Sequence, residues 1–221
     1  MEQLKLLIVG LLLMGVSPAF AFDDGDFQVW NTDVQEFKIN KDTKFALEEE
    51  FRWGDNANHF YYHHYDAGVS YALNKYFSIG GGYRHVLEDK KVGKVTKFRV
   101  ENEPYITATL FGELKGFKLE DRSRLEYRHF DYTADSWRYR NKFAVKAPWK
   151  FSKFEIQPYL ADEVFFGSSG KSFNKNRFSS GLAFNLTKNL KAEIYYMLES
   201  TRGKIKWTDA NILGTKLKLS F

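Results

Sequence analysis

Basic side chains recur at even-numbered positions in two consecutive stretches of the chain: Arg122, Arg124 and Arg128, then Arg138, Arg140 and Lys142. Residues two apart share one face of a β-strand, so each stretch would present its cations on one side. Two such strands side by side would form a mainly cationic wall, with Glu126 among the cations. A wall of this kind could bind small anions or tune what passes a pore.

The same residues also have a structural interpretation, because each charge inside a narrow barrel needs a partner. Two strands with so few carboxylates of their own would have to take partners from elsewhere in the lumen: Glu101, Glu103, Glu155 and Glu163. We favour this structural role and keep ligand binding by the wall as the alternative.

Three other patterns resemble functional sites. The stretch Gly167–Ser172 ends like a phosphate-binding loop, but the first glycine would be at position 165, which is Phe165, and no helix follows. The histidines are His59, His63, His64, His85 and His129. His63 and His64 would point to opposite faces of a strand, while His63, His85 and His129 share the lipid-facing phase near one rim. We therefore predict no metal site and no cofactor.

Carboxylates near histidines could also indicate a hydrolase. Asp66, Asp162 and Glu163 are candidates, but no Ser or His is placed as in the outer-membrane phospholipase, deacylase or omptin families. We predict that the protein is not an enzyme and assign no catalytic residue. The alternative is an outer-membrane enzyme that acts on lipid or peptide.

The elements that would position these residues are β-strands, because polar and apolar residues alternate almost everywhere after Phe22 and no segment has a sustained 3.6-residue period. Strands are predicted at 43–53, 60–73, 77–87, 97–111, 117–130, 137–147, 154–166, 176–186, 190–200 and 210–221. Asp26 to Ile39 alternates more weakly. Tight turns at 40–42, 74–76 and 187–189 alternate with longer polar loops at 54–59, 88–95, 131–136, 167–175 and 201–209. This order is typical of an up-and-down antiparallel barrel with two different rims.

The two faces of these strands separate apolar from charged residues. A soluble lipocalin-like periplasmic barrel would place the apolar face inside, and it remains the alternative. Strand lengths near those of a tilted membrane crossing, loops sorted by side and aromatics near strand ends favour a transmembrane barrel with a charged lumen. Two aromatic girdles are expected: Trp53, Tyr61, Tyr83, Tyr127 and Trp137 at one rim, and Phe37, Phe45, Phe77, Phe111, Phe117, Trp149 and Phe154 at the other.

The strand number is expected to be 10–12. Ten strands run from Thr43 to Phe221, and the stretch Phe22–Ile39 is long enough for one crossing but short for two. Because bacterial barrels have even strand numbers, we expect either ten strands or twelve. The segment GTKLKLSF at 214–221 is predicted to close the barrel against the first strand, with Leu217, Leu219 and Phe221 toward lipid. A terminal aromatic resembles the signature that the outer-membrane assembly machinery recognises.

The first 21 residues read as a cleavable signal peptide, with Lys5, an apolar run from Leu6 to Val16 and small residues at Ala19 and Ala21. The remaining residues, 22–221, would form a single barrel domain exported to the bacterial outer membrane, with the lipid bilayer as its surroundings. The chain has no cysteine and a net charge of +5. It therefore relies on its hydrogen-bond ladder and packing rather than on disulfides. Small anions are possible ligands, and we expect no nucleic-acid partner.

Several short stretches together resemble an uncharacterised bacterial barrel family, domain of unknown function 2490: DFQVW at 26–30, ALEEEFR at 46–52, GGYR at 81–84, NEPY at 102–105 and RSRLEYR at 122–128. The resemblance covers essentially the whole mature chain. It implies an outer-membrane barrel, and it supplies no ligand or catalytic residue.

Overall fold

A computed structural model describes residues 24–92, 95–168, 172–203 and 205–221. The predicted signal peptide, 1–21, lies outside the described residues. Within the described residues there is no helix that is long and apolar enough to cross a membrane. The structure there is all β.

The fold is a closed barrel of eleven strands, in which each strand pairs with its neighbours in sequence and the last pairs with the first. The strands are β1 (Asp26–Lys38), β2 (Thr43–Gly54), β3 (His59–Asn74), β4 (Phe77–Val92), β5 (Val95–Leu114), β6 (Phe117–Phe130), β7 (Ser136–Lys146), β8 (Gln157–Gly167), β9 (Phe173–Asn185), β10 (Leu190–Arg202) and β11 (Trp207–Ser220). Ten of them coincide, to within a few residues, with the ten strands predicted from alternation.

The expected even strand number is wrong. The prediction that all strand pairs are antiparallel is wrong as well. The weakly alternating segment forms one full strand, β1, which pairs antiparallel with β2 but parallel with β11. A single extra crossing makes the number odd, and an odd number of strands forces one parallel pair where the sheet closes. A parallel pair still satisfies the backbone groups of both strands, so the barrel has no free edge there.

The long-loop rim also differs from the prediction. Strand β4 extends to Val92 and β5 begins at Val95, so most of the predicted loop 88–95 belongs to the hairpin itself. Strands β9 and β11 likewise begin earlier than predicted, at Phe173 and Trp207. Apart from Val92, Val95, Phe173 and Trp207, these extensions are polar, so they carry little alternation that a sequence pattern could detect.

Apolar side chains form the outer face of the barrel. Large apolar residues on every strand from β1 to β11 are exposed, among them Ile106 at 65% and Leu160 at 51%. One predicted girdle residue is wrong: Tyr61 is only 4% exposed, and its hydroxyl donates a hydrogen bond to Gln28. The register between β2 and β3 shifts at Arg52 and Trp53, and this bulge turns Tyr61 inward.

The closing strand pairs with the first strand, as predicted. Lys218 lies opposite Val34, and the Phe221 N–H donates to the Glu36 carbonyl at 2.9 Å. The Phe37 and Phe221 rings stack with centroids 5.0 Å apart. The seam is therefore held by the backbone ladder and by an aromatic pair at the short-turn rim.

The outer face has a polar interruption beside this seam. Asp33 on β1 lies directly opposite Glu49 on β2. Asn31 donates to Asp33 at 2.9 Å and accepts from the Thr215 hydroxyl at 2.8 Å. Within the described part of the chain Glu49 has no ion pair. Two carboxylates thus lie opposite each other on the outer face, and neither has an ion pair among the described residues.

Candidate functional site

The six residues of the predicted wall lie on neighbouring strands, β6 and β7. In the register, Arg122 lies opposite Lys142, Arg124 opposite Arg140, and Glu126 opposite Arg138, while Arg128 lies opposite Ser136. Several of these side chains are buried and contact strands that are not their neighbours, which places them inside the barrel. The prediction that these six residues share one face of their strands is therefore confirmed.

Two buried carboxylates, Glu126 on β6 and Glu163 on β8, bind the middle of this wall. Glu126, which is 0% exposed, contacts Arg138 and accepts a hydrogen bond from Arg140 at 3.2 Å. Glu163 on β8 accepts from Arg140 at 2.7 Å and is 3.4 Å from Arg122. Charge-assisted bonds of this kind are the strong hydrogen bonds of proteins. The middle of the wall is thus paired with carboxylates on two strands, β6 and β8.

The carboxylates of β5 complete the wall toward the long-loop rim. Glu103 accepts from Arg138 at 2.5 Å and from Arg128 at 3.3 Å, and Arg128 also pairs with Glu101. The predicted partners Glu101, Glu103 and Glu163 are therefore correct. Glu155 is not, because it precedes β8 at the short-turn rim and pairs with Lys150 at 2.9 Å.

The network continues around the barrel beyond these two strands. Arg84 on β4 is 2.9 Å from Asp66 and 3.8 Å from Glu103, and Arg177 on β9 bonds Glu199 at 2.6 Å. Further ion pairs of this kind are Lys175–Glu199, Arg52–Glu50, Lys216–Glu48 and Lys218–Glu36. We call these pairs, with those of the wall, the ionic network.

Arg124 is the least satisfied member of the ionic network. Its nearest carboxylate oxygens, on Asp66 and Glu126, are 3.7 and 3.9 Å away, and two of its nitrogens are buried without a hydrogen bond. The guanidinium lies 3.9 Å above the Tyr105 ring. That ring lies against Gly82, where any side chain would collide with it. Cation–π contact replaces hydrogen bonding at this position.

Two buried aromatic rings support the guanidinium groups from the side. Trp30 on β1 is 1% exposed and lies 3.6 Å from the Arg52 guanidinium and 4.9 Å from that of Arg177. Phe165 on β8 lies 4.9 Å from Arg140 and from Arg177. Neither ring is predicted from the sequence to belong to a site. The even-numbered phase that Trp30 shares with Gln28 and Thr32 was the available signal, but β1 was not recognised as a full strand.

Three cavities follow one another along the interior. One of about 270 Å³ faces the long-loop rim, one of about 140 Å³ lies in the middle, and one of about 770 Å³ opens at the short-turn rim. The first two share Arg84 and Arg140, and the last two share Arg122 and Lys142. The ionic network therefore narrows the interior between two wider ends.

The short-turn end of the same two strands is arranged differently. On the inner face Lys118 lies directly opposite Lys146, then Glu120 opposite Ala144, and then Arg122 opposite Lys142. Among the described residues, neither Lys118 nor Lys146 has a carboxylate within ion-pair distance, and the same holds for Lys142. Like charges directly opposite each other destabilise a sheet. Buried carboxylates thus pair the middle of the wall, as the structural interpretation predicts, whereas Lys142 at this end has no ion pair among the described residues.

The five histidines lie in different surroundings. His64 is buried inside and contacts Tyr62 and Glu48, whereas His63 packs among outer rings, as their alternation predicts. At the long-loop rim, hydrogen bonds from His129 and then Tyr127 hold the pKa of Asp135 at about 2. No group of three or more potential ligands for a metal ion occurs in the described ranges. The stretch 167–172 lies partly outside those ranges.

The family model described as "Protein of unknown function (DUF2490)" matches residues 27–209. Among curated proteins, none matches the chain. The matched span runs from β1 into β11 and includes the ionic network except Lys216 and Lys218.

Proposed function

This chain belongs to the DUF2490 family of proteins of unknown function, and we propose that it is an integral barrel of the bacterial outer membrane. The observation that carries the proposal is the apolar outer face. Exposed apolar surface costs about 25 cal/mol per Å² in water, and contiguous surface of this kind is typical of contact with a membrane or a partner. A lipid bilayer surrounds a closed barrel on all sides, as this face requires.

Strand length and rim composition support the same proposal. The strands have 11 to 20 residues, and a tilted strand needs about 9–11 to cross a bilayer. Aromatic pairs occur at both rims: Tyr127 with Trp137 at the long-loop rim, and Phe117 with Trp149 at the short-turn rim. Aromatic girdles lie at the two interfaces of outer-membrane barrels.

Cell fractionation tests this location. We expect the full-length gene product to be recovered in the outer membrane, extractable only with detergent, starting at Phe22, and with heat-modifiable mobility on a gel. Recovery as a soluble periplasmic protein would favour the lipocalin-like alternative instead.

The C-terminal strand supplies a second test of the same proposal. We propose that the assembly machinery of the outer membrane recognises the strand that ends in Phe221. Replacing Phe221 by Ala should lower the amount of assembled barrel while synthesis and export continue, whereas Phe221→Tyr, which keeps the ring, should assemble normally. Equal amounts of folded protein in both variants would reduce the terminal residue to a strand end.

Inside the barrel, we propose a closed, non-enzymatic structural core that small anions reach only from the short-turn end. The ionic network supports this proposal, because its buried carboxylates are each held by guanidinium or ammonium groups and none is left as a free acid or base. Incubation with phospholipid, lipopolysaccharide or peptide substrates should give no product. Turnover that is lost in Glu126→Gln or His64→Gln would establish the enzymatic alternative.

A narrow passive channel is the second candidate, and the alignment of the three cavities favours it. Planar-bilayer recordings distinguish the two candidates. A closed core gives no steady conductance, whereas a channel conducts, and its anion preference should reverse in Arg124→Glu. Steady conductance with unchanged selectivity in that variant would place the conducting path away from the wall.

A further inference from the structure

The short-turn cavity combines space with unpaired charge. Its volume of about 770 Å³ is almost three times that of the cavity at the opposite end. Ala144 and Ala161 lie side by side on β7 and β8 and form part of its lining. The small side chains at this level leave the interior open. Two residues farther into the barrel, side chains of the ionic network fill the corresponding space.

The charges around this space are mainly positive on the β6–β7 side. Lys118, Lys146, Arg122 and Lys142 all line the cavity, and Glu120 is the carboxylate that these two strands contribute to it. The pairs Lys118–Lys146 and Arg122–Lys142 are inward-facing pairs of the same ladder, separated by the pair of Glu120 with Ala144. Glu120 stands between these two steps and Glu113 on β5 lies opposite Lys118, but none of the described carboxylates is within ion-pair distance of Lys118, Lys142 or Lys146.

An arrangement that is unfavourable in the empty protein becomes favourable when an anion lies between the cations. Lysine ammonium groups bind phosphate as point charges, and arginine binds it with a planar fork. A ligand with several negative charges can bridge both steps, whereas a single small anion can contact only one. The depth of the cavity favours the former.

We propose that the short-turn end of the barrel is a binding site for a multiply charged anion of the polyphosphate class, held by Lys118 and Lys146 at the rim and by Arg122 and Lys142 below. This proposal deepens the proposed function by naming the ligand class of the interior. It does not require that the barrel cross a membrane, because the site belongs to the interior of the folded chain.

Calorimetry on the refolded full-length mature protein in detergent, at constant ionic strength, tests the proposal. The probes are inorganic phosphate and tripolyphosphate. We expect saturable binding of tripolyphosphate at a stoichiometry of one, at least tenfold tighter than that of phosphate. The double variant Lys118→Gln/Lys146→Gln should lose about tenfold or more of the tripolyphosphate affinity, since each lost charge-assisted bond is worth at least that factor.

The matched control removes the same charge at the same rim but outside the cavity. Lys153 and Lys188 lie in short-turn connections and do not line it. The double variant Lys153→Gln/Lys188→Gln should bind like the wild type. An equal loss in both double variants, unchanged affinity in the first, or no saturable binding to protein that keeps its heat-modifiable mobility would overturn the proposal. Those results would leave the membrane location untouched, which fractionation decides separately.

Discussion

The same two strands, β6 and β7, carry cations along their whole inner face, yet the two ends of that face are opposites. In the middle and toward the long-loop rim, Arg138 and Arg140 each contact at least two buried carboxylates. At the short-turn end, Lys118 lies opposite Lys146 with no carboxylate within ion-pair distance. The number of cations hardly changes between the ends. What changes is whether the carboxylates form ion pairs: among the described residues Glu113, opposite Lys118 on β5, forms none with that lysine, whereas the carboxylates in the middle do.

The difference indicates a division of roles along one barrel. Where each cation is paired and desolvated, the charges fill space and fix the register of strands. Where cations face each other beside open space, their repulsion lowers the stability of the fold. The same charges create a positive electrostatic potential that attracts anions. Each of the following changes tests this division.

The largest effect is expected from Glu126→Gln in the ionic network. Arg138 and Arg140 would lose a buried partner, and breaking a buried pair costs about 3–5 kcal/mol, less if water enters. The measurement is urea unfolding of the refolded barrel in lipid vesicles. The control Glu120→Gln, on the same face of β6 but at the short-turn end, should change stability by less than about 0.5 kcal/mol. Equal effects would remove the distinction between the two ends.

A smaller loss is expected when the aromatic support of the network is changed. Trp30→Phe keeps a ring but removes the bond from the indole N–H to Gln28 at 3.0 Å and weakens the contact with Arg52. The expected cost is about 1–2 kcal/mol. Trp207→Phe, at an exposed rim position, is the matched control and should be nearly neutral. A neutral Trp30→Phe would mean that the network holds its arginines without the ring.

The outer face provides a test with the opposite sign. Glu49 stands opposite Asp33 without a cation, and a charged side chain on a lipid-facing surface is destabilising. Glu49→Leu should therefore raise stability in vesicles by about 1 kcal/mol. The inward Glu50→Leu should lower it, because Glu50 pairs with Arg52 and accepts from Thr32. Destabilisation by Glu49→Leu would instead show that a partner binds this carboxylate.

The smallest effect is expected at the rim itself. Lys146→Glu converts a like-charge pair with Lys118 into an opposite-charge pair, which should add about 0.5 kcal/mol to the free energy of unfolding. The same change should abolish tripolyphosphate binding, so stability and affinity would move in opposite directions. A simultaneous loss of both would make Lys146 a structural residue.

Much of this architecture was predictable because alternation is a local property. Spacing alone predicts the ten strands from β2 to β11. It also predicts which face each of the six wall residues occupies and that β6 and β7 are adjacent. The partners Glu101, Glu103 and Glu163 were also predictable, since strands next to the wall must supply them. The prediction that Glu155 is a partner is wrong because β8 begins at Gln157, so Glu155 precedes the strand.

Other features depend on how distant strands meet, and a single strand carries no signal of them. The parallel pairing of β1 with β11 sets the odd strand number, because closure is a property of the whole sheet. The bulge that turns Tyr61 inward arises from a register shift between two strands. Trp30 and Arg177 are far apart in sequence and meet because β1 closes the barrel. The sequence by itself determined which residues face inward, because strand geometry alternates every side chain. Only the tertiary structure decided which of those residues are paired and which are left to face open space, since pairing depends on the level at which eleven strands come together.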